Sequence, residues 1–199
     1  MATQKIYSLI PLESFKEVLS FDDRNDPLIR YCLITATHAI EQHCMRRILR
    51  KRHFEKIEYT GDLQFALREY PVTEVLAVYA LSSNSDKDGE LLENDFYTLS
   101  PIEEIDVPYS ITLSPAFKNY RHIDAFSVVY WAGYTSAKVP PDLASACLEL
   151  ATWNMNRYKG KQIGFTGSVR SGAKDGEHFE LSMPENVRSL LEPYKRRVI

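Results

Sequence analysis

The stretch Phe126-Ser127-Val128-Val129-Tyr130-Trp131-Ala132-Gly133-Tyr134, followed shortly by Val139-Pro140-Pro141-Asp142-Leu143, contains the change of period that decides the fold. Its first half is rich in β-branched and aromatic residues and reads as a strand. The proline pair then falls just before a helix, where the missing N–H groups would be unbonded in any case. Asp142 sits near the positive end of that helix. Beyond it Leu143, Ala146, Cys147, Leu150, Trp153, Asn154 and Tyr158 repeat at helical spacing, which predicts a helix over 140–159.

Towards the N-terminus the strand period continues. Phe54, Ile57 and Tyr59 mark one strand closed by Thr60-Gly61, and Val72, Val75, Ala77 and Tyr79 mark a second after Pro71. Phe96-Tyr97-Thr98-Leu99 and Ile111-Thr112-Leu113 supply two more, separated by a turn cluster at Ser82–Gly89 and by Pro101, Pro108 and Pro115. The period is helical again before residue 50. Leu12, Phe15, Val18 and Leu19 predict a short helix behind Pro11. Asp26 and Pro27 predict the N-cap and N1 of a long one, with Leu28, Ile29, Cys32, Leu33, Ala36, Ile40, Cys44 and Ile48 as its stripe.

Towards the C-terminus, Gly160–Gly176 is rich in Gly, Ser and Lys, and is expected to be flexible in the free protein. A closing helix is predicted from about Pro184 to Pro193, with Val187, Leu190 and Leu191 apolar. The predicted class is α+β and mainly helical: two N-terminal helices, a central antiparallel β region, and a C-terminal helix pair separated by a Gly-rich loop. The prediction is one domain over 1–199, comprising 1–50 helical, 52–134 antiparallel β, 140–159 helix, 160–180 loop and 184–195 closing helix.

Bulk properties exclude several classes. With 199 residues, 44% hydrophobic and 26% charged, the chain can bury a globular core. A net charge of −3 argues against general binding to a phosphate backbone, which requires surplus Lys and Arg. No stretch has the length of a membrane span, and Met1–Lys5 lacks the apolar run of a signal peptide. Cys32, Cys44 and Cys147 form no C-x-x-C pair and read as small buried residues in a reducing cytosol.

A search for catalytic constellations returns none. No nucleophile elbow, P-loop, dinucleotide fingerprint or zinc-protease motif is present. His38 and Glu41, with His43 and Cys44, have partial metal-ligand spacing but no complete ligand set. The carboxylates Asp22-Asp23, Asp86/Asp88 and Glu103-Glu104-Ile105-Asp106 lie in polar stretches that do not raise a pKa. The Gly-rich run from Gly160 follows a helix, so it lacks the strand-to-helix geometry that cradles phosphate. The expectation is a non-enzyme with no cofactor and no metal.

Arg46, Arg47, Arg50, Lys51, Arg52 and Lys56 form the main charge cluster, opposed only by Glu55. It reads as a contact for DNA or for an acidic partner surface. Cations near a helix C-terminus also offset its dipole while staying in solvent, and this simpler reading carries more weight. Lys195-Arg196-Arg197 is a weaker set. The twelve Tyr and nine Phe favour an assembly component, since rigid rings bury area at low entropic cost.

Taken in order, these segments resemble the tailed-bacteriophage head–tail connector (head-completion adaptor) family. The resemblance spans nearly the whole chain. It runs from Ile10-Pro-Leu-Glu-Ser-Phe-Lys-Glu-Val-Leu19, through Asp22-Asp-Arg-Asn-Asp-Pro-Leu-Ile29 and the helix behind it, to Tyr70-Pro-Val-Thr-Glu-Val-Leu76. Its most specific part is Trp131, Gly133 and Tyr134 followed by Pro140, Pro141 and Asp142, and Met183–Tyr194 resembles the closing helix. Pro11 departs from the usual Ser or Thr cap, and the β region carries an insertion at 117–122.

The resemblance implies a virion protein of the neck, made in the host bacterial cytoplasm, whose copies form a ring through which genomic DNA passes with weak contact. The implied partners are further copies of the chain, the portal protein and a tail-side neck protein, with no membrane. The Gly160–Gly176 loop, with Gly160, Lys161, Phe165, Arg170 and Lys174, would order on assembly together with the closing helix. A DNA-binding protein using the Arg46–Lys56 cluster, or another neck or tail-completion protein, is the alternative.

Overall fold

The computed structural model describes residues 7–20, 22–82, 89–101, 108–115, 123–160 and 183–196. Among these the fold is α+β, with four α-helices and seven strands. Chain contacts divide it into two compact units: residues 1–46 with 136–199, and residues 47–135.

The first unit is helical, with α1 at Leu12–Leu19, α2 at Asp26–Cys44, α3 at Pro141–Lys159 and α4 at Glu185–Leu191. Ile29, Cys32, Leu33, Ala36 and Ile40 of α2 are buried, as are Leu143, Ala146, Cys147, Leu150 and Ala151 of α3. Both stripes follow the apolar spacing of the sequence, and the two helices pack on one another. Thr37 is a polar residue within this core. Its Oγ1 accepts the Leu9 N–H at 3.1 Å, so its burial leaves that amide bonded.

Two expectations need correction at the ends of α2. The helix starts on Asp26, so this residue is not its N-cap; Asn25 holds that place. Asp22 supplies the local side-chain bond instead, accepting the Arg24 N–H at 3.1 Å. Asp26 accepts from Lys16 of α1 at 2.9 Å. At the other end α2 stops at Cys44 rather than reaching Ile48, because Met45 turns left-handed with φ 53°.

The second unit is β. Its strands are β1 (Lys51–Glu58), β2 (Gln64–Ala66), β3 (Val72–Leu81), β4 (Glu90–Leu91), β5 (Tyr97–Pro101), β6 (Pro108–Leu113) and β7 (Ala125–Ala132). The expected single β region is two antiparallel sheets, ordered β1-β7-β3-β4 and β2-β6-β5. β7 is central in the first sheet and is buried along nearly its full length, which accounts for its continuous apolar sequence. Val78, Phe126, Val128 and Tyr130 from that sheet share a core with Ile111 and Leu113 of the other. Phe65 of β2 stacks on Phe126 of β7 with ring centroids 5.4 Å apart.

Candidate functional site

The basic cluster does not form one surface. Arg46 is only 4% exposed, and its Nε donates to the Tyr194 carbonyl at 2.9 Å, so it secures the last turn of the helical unit. It offers no exposed charge to DNA or a partner. The other five cations lie on the β unit and are exposed. The Arg47 N–H donates to Glu69 Oε2 at 3.0 Å. Arg50 lies over the Trp131 ring at 5.0 Å and reaches Glu74 at 3.5 Å. Lys51, Arg52 and Lys56 belong to β1, where alternation places Arg52, Phe54, Lys56 and Glu58 on the exposed face.

The opposite face of β1 carries a polar network that the sequence reading missed. Tyr130 Oη donates to Glu55 Oε2 at 2.8 Å and accepts the Glu69 N–H at 3.3 Å. Glu55 Oε2 also accepts the Arg68 N–H at 3.1 Å, and Arg68 Nε stands 3.4 Å from Oε1. His53 stacks on the Tyr130 ring at 5.6 Å. Its Nε2 is buried with no hydrogen-bond partner among the described residues. Burial, then Lys51 and Arg47, hold the His53 pKa below the ordinary histidine value. Burial and the Glu55 carboxylate push the Tyr130 phenol well above its usual range. His53, Phe54, Glu55, Lys56, Arg68, Glu69 and Tyr130 line a cleft of about 200 Å³. Only the alternation of His53, Glu55 and Ile57 on one side of β1 could have signalled it from sequence.

The residues of the connector-like motif fall into two groups. Gly133 closes β7 with φ +99°, and a Cβ there would lie 2.7 Å from Ile48 O and from Leu49 C. Tyr134 then pairs with the incoming chain, donating its N–H to Ile48 O and accepting the Arg50 N–H, both at 2.8 Å. In the helical unit Pro140 is the N-cap of α3, Pro141 its first residue and Asp142 lies in its first turn. Gly133, Tyr134 and the two prolines therefore act through the backbone, whereas Trp131 sets its ring under Arg50. Gly160 is the C-cap of α3, with its N–H on Asn156 O at 2.8 Å, whereas Lys161, Phe165, Arg170 and Lys174 lie outside the described residues.

The partial metal-like set on α2 is used internally. Glu41 is 4% exposed and accepts from the Tyr7 phenol at 2.8 Å, while His38 stacks on the Tyr7 ring at 5.4 Å. Among the described residues no three His, Cys, Asp or Glu side chains converge as metal ligands. Cys32, Cys44 and Cys147 are free and buried, and burial pushes each thiol up to about 11, opposite to an activated nucleophile. No described helix is long and apolar enough to cross a membrane.

This architecture is shared with solved neck components of phage-like particles. A chain from the virion of a native gene transfer agent particle matches at TM-score 0.64 and 17% identity, over 99% of this chain and 95% of that one. A chain from the neck of an empty gene transfer agent particle matches at 0.62 and 17%, with the same coverage. One from the neck of the native particle matches at 0.57 and 16%, over 99% and 94%. No family model matches the chain, and no curated protein matches it by sequence. The fold is thus that of chains found in gene transfer agent necks.

Proposed function

We propose that this chain is a structural component of the neck of a tailed phage or phage-like particle. In this reading it is a head–tail connector whose copies form a ring between the portal and the next neck or tail protein. The observation that carries the proposal is the end-to-end fold match to chains of gene transfer agent neck structures, which leaves neither unit without a counterpart. The neck structures were computed with C6 and C12 symmetry, which supports a cyclic arrangement for this chain as well. In a closed ring each subunit presents one face to a different face of its neighbour. A total charge of −3 suits a channel that lets DNA slide. The buried, high-pKa thiols and the backbone roles of Gly133 and Pro141 support a structural part without catalysis.

The test is size-exclusion chromatography with light scattering on the purified chain, over a concentration series, alone and with the portal protein of the same particle. A ring-sized species, or co-elution with the portal, is the expected result. A strict monomer that ignores the portal would overturn the connector role. Duplex binding that falls steeply with salt would then favour a DNA-binding protein.

A further inference from the structure

Among the described residues β1 is an edge strand paired with β7 alone, in continuous register from Lys51↔Ala132 to Glu58↔Ala125. The Tyr59 N–H donates to Asp124 O at 2.9 Å and extends that register by one residue. Antiparallel alternation therefore turns the backbone groups of His53, Glu55 and Ile57 towards β7, and those of Arg52, Phe54, Lys56 and Glu58 away from it. Among the described residues nothing bonds the outward N–H and C=O groups of Arg52, Phe54 or Lys56. Natural sheets blunt such edges by shortness, proline, a bulge or charged side chains, and of these β1 uses charge, with Lys51, Arg52 and Lys56. β1 has eight residues, no proline and no register break. Phe54 stands at its middle, 73% exposed.

Charge indicates what can pair with this edge. An antiparallel β1-to-β1 pairing centred on Phe54 sets Arg52 against Lys56, which deters that arrangement. They favour a strand bearing carboxylates. The 46–56 segment holds six cations against Glu55 in a chain of net charge −3, so the remaining residues carry −8. The cleft under β1, lined by His53, Glu55, Arg68 and Glu69, adds a second element of recognition. Strand addition works in this way: main-chain bonds hold the segment, and pockets for alternate side chains select it.

We propose that the free edge of β1 is a strand-addition site for an extended, carboxylate-bearing segment of another polypeptide. Its outward side chains pair with Arg52 and Lys56 on either side of an apolar residue that covers Phe54. Its inward side chains lie over the cleft, where Glu55 and Glu69 exclude a carboxylate and favour a neutral hydroxyl or amide. The site is independent of the neck assignment.

The probe is a capped peptide with the alternation Glu-Thr-Val-Thr-Glu, added to the full-length protein and followed by amide hydrogen exchange and fluorescence anisotropy. Exchange at Arg52, Phe54 and Lys56 should slow roughly tenfold near saturation. Replacing both peptide glutamates by lysine should weaken binding about tenfold. N-methylation of the peptide on its pairing edge should abolish it. Phe54→Pro removes an outward N–H that β7 does not use, and should abolish binding with an unchanged circular dichroism spectrum. If that variant unfolds, the N-methylated peptide still decides the question. Concentration-dependent protection of the same amides without peptide would support the site and identify a second copy of this chain as donor. Unchanged exchange at these amides, or equal binding of the lysine or N-methylated peptide, would overturn it. The protein could still form rings with the portal in that case, so the two proposals fail separately.

Discussion

Gly133→Ala tests whether the turn after β7 is fixed by contact or by conformation alone. Two glycines share nearly the same backbone angle: Gly133 at φ +99° and Gly61 at φ +96°. Alanine at either position meets the strain of a left-handed backbone, about 1–2 kcal/mol. Only at Gly133 does the new Cβ also collide, 2.7 Å from Ile48 O and Leu49 C and 2.8 Å from Arg50 N; at Gly61 nothing lies within 4 Å. These are backbone atoms, so relief requires the Ile48–Arg50 segment to move. That movement stretches the two 2.8 Å bonds that Tyr134 makes with it, each contributing about 1 kcal/mol. Gly133→Ala should therefore cost about 3–4 kcal/mol and Gly61→Ala about 1–2 kcal/mol. Urea unfolding in a Trp153→Phe background, with Trp131 as reporter, measures both variants. At roughly 2 kcal/mol per molar urea their midpoints should differ by about 1 M. Equal midpoints would refute the steric argument and leave Gly133 as a turn residue no different from Gly61.

Three further outcomes follow from buried groups. Tyr130→Phe removes the hydroxyl shared by Glu55 and Glu69 and should cost about 1–3 kcal/mol in urea unfolding; a neutral result would mean that water replaces it. All three thiols should resist an aromatic disulfide reagent at pH 8 in the folded protein and react after denaturation, and rapid labelling of the native chain would contradict their burial. Burial depresses the pKa of His43 and His53 below 6.5, so the unfolded chain binds more protons than the folded one once pH falls past that value. Their contribution to stability is complete above about pH 7 and is lost as pH falls from 6.5 through the folded pKa values. His43→Gln and His53→Gln should each flatten the stability profile between pH 7 and 5, and an unchanged slope would count against the assignment.

The helices were legible because one face of each is apolar at constant spacing, as in Ile29, Leu33, Ala36 and Ile40 or Leu143, Cys147, Leu150 and Ala151. The end of α2 was not, because Ile48 keeps the spacing but is buried on the β unit, and Met45 gives no sequence signal for a left-handed turn. β2 and β4, with three and two residues, are too short for any period to show. The split into two sheets depends on pairing between distant segments, such as β1 with β7, which local alternation does not encode. By composition Phe54 groups with Ile57 and Tyr59, all three being apolar. Its odd separation from Ile57 puts it on the other face of an alternating strand, and that parity is visible in the sequence.

The same parity changes the meaning of the basic cluster. Counted along the chain, six cations in a row of eleven residues suggest a continuous patch for a polyanion. Folding removes Arg46 into the helical unit, ties the Arg47 backbone to Glu69 ahead of the strand, engages Arg50 with Trp131 and Glu74, and leaves Lys51, Arg52 and Lys56 on β1. Three cations along one strand would give a DNA salt dependence of about −2.7 in log–log slope, against about −5.4 for all six. That is a weak hold on a duplex. The geometry suits a polypeptide better: the outward backbone groups on β1 can be satisfied by another strand, whereas a phosphate can use only the N–H half of them. Of the residues that look most like a DNA patch in sequence, only Lys51, Arg52 and Lys56 lie on the edge proposed to bind a polypeptide.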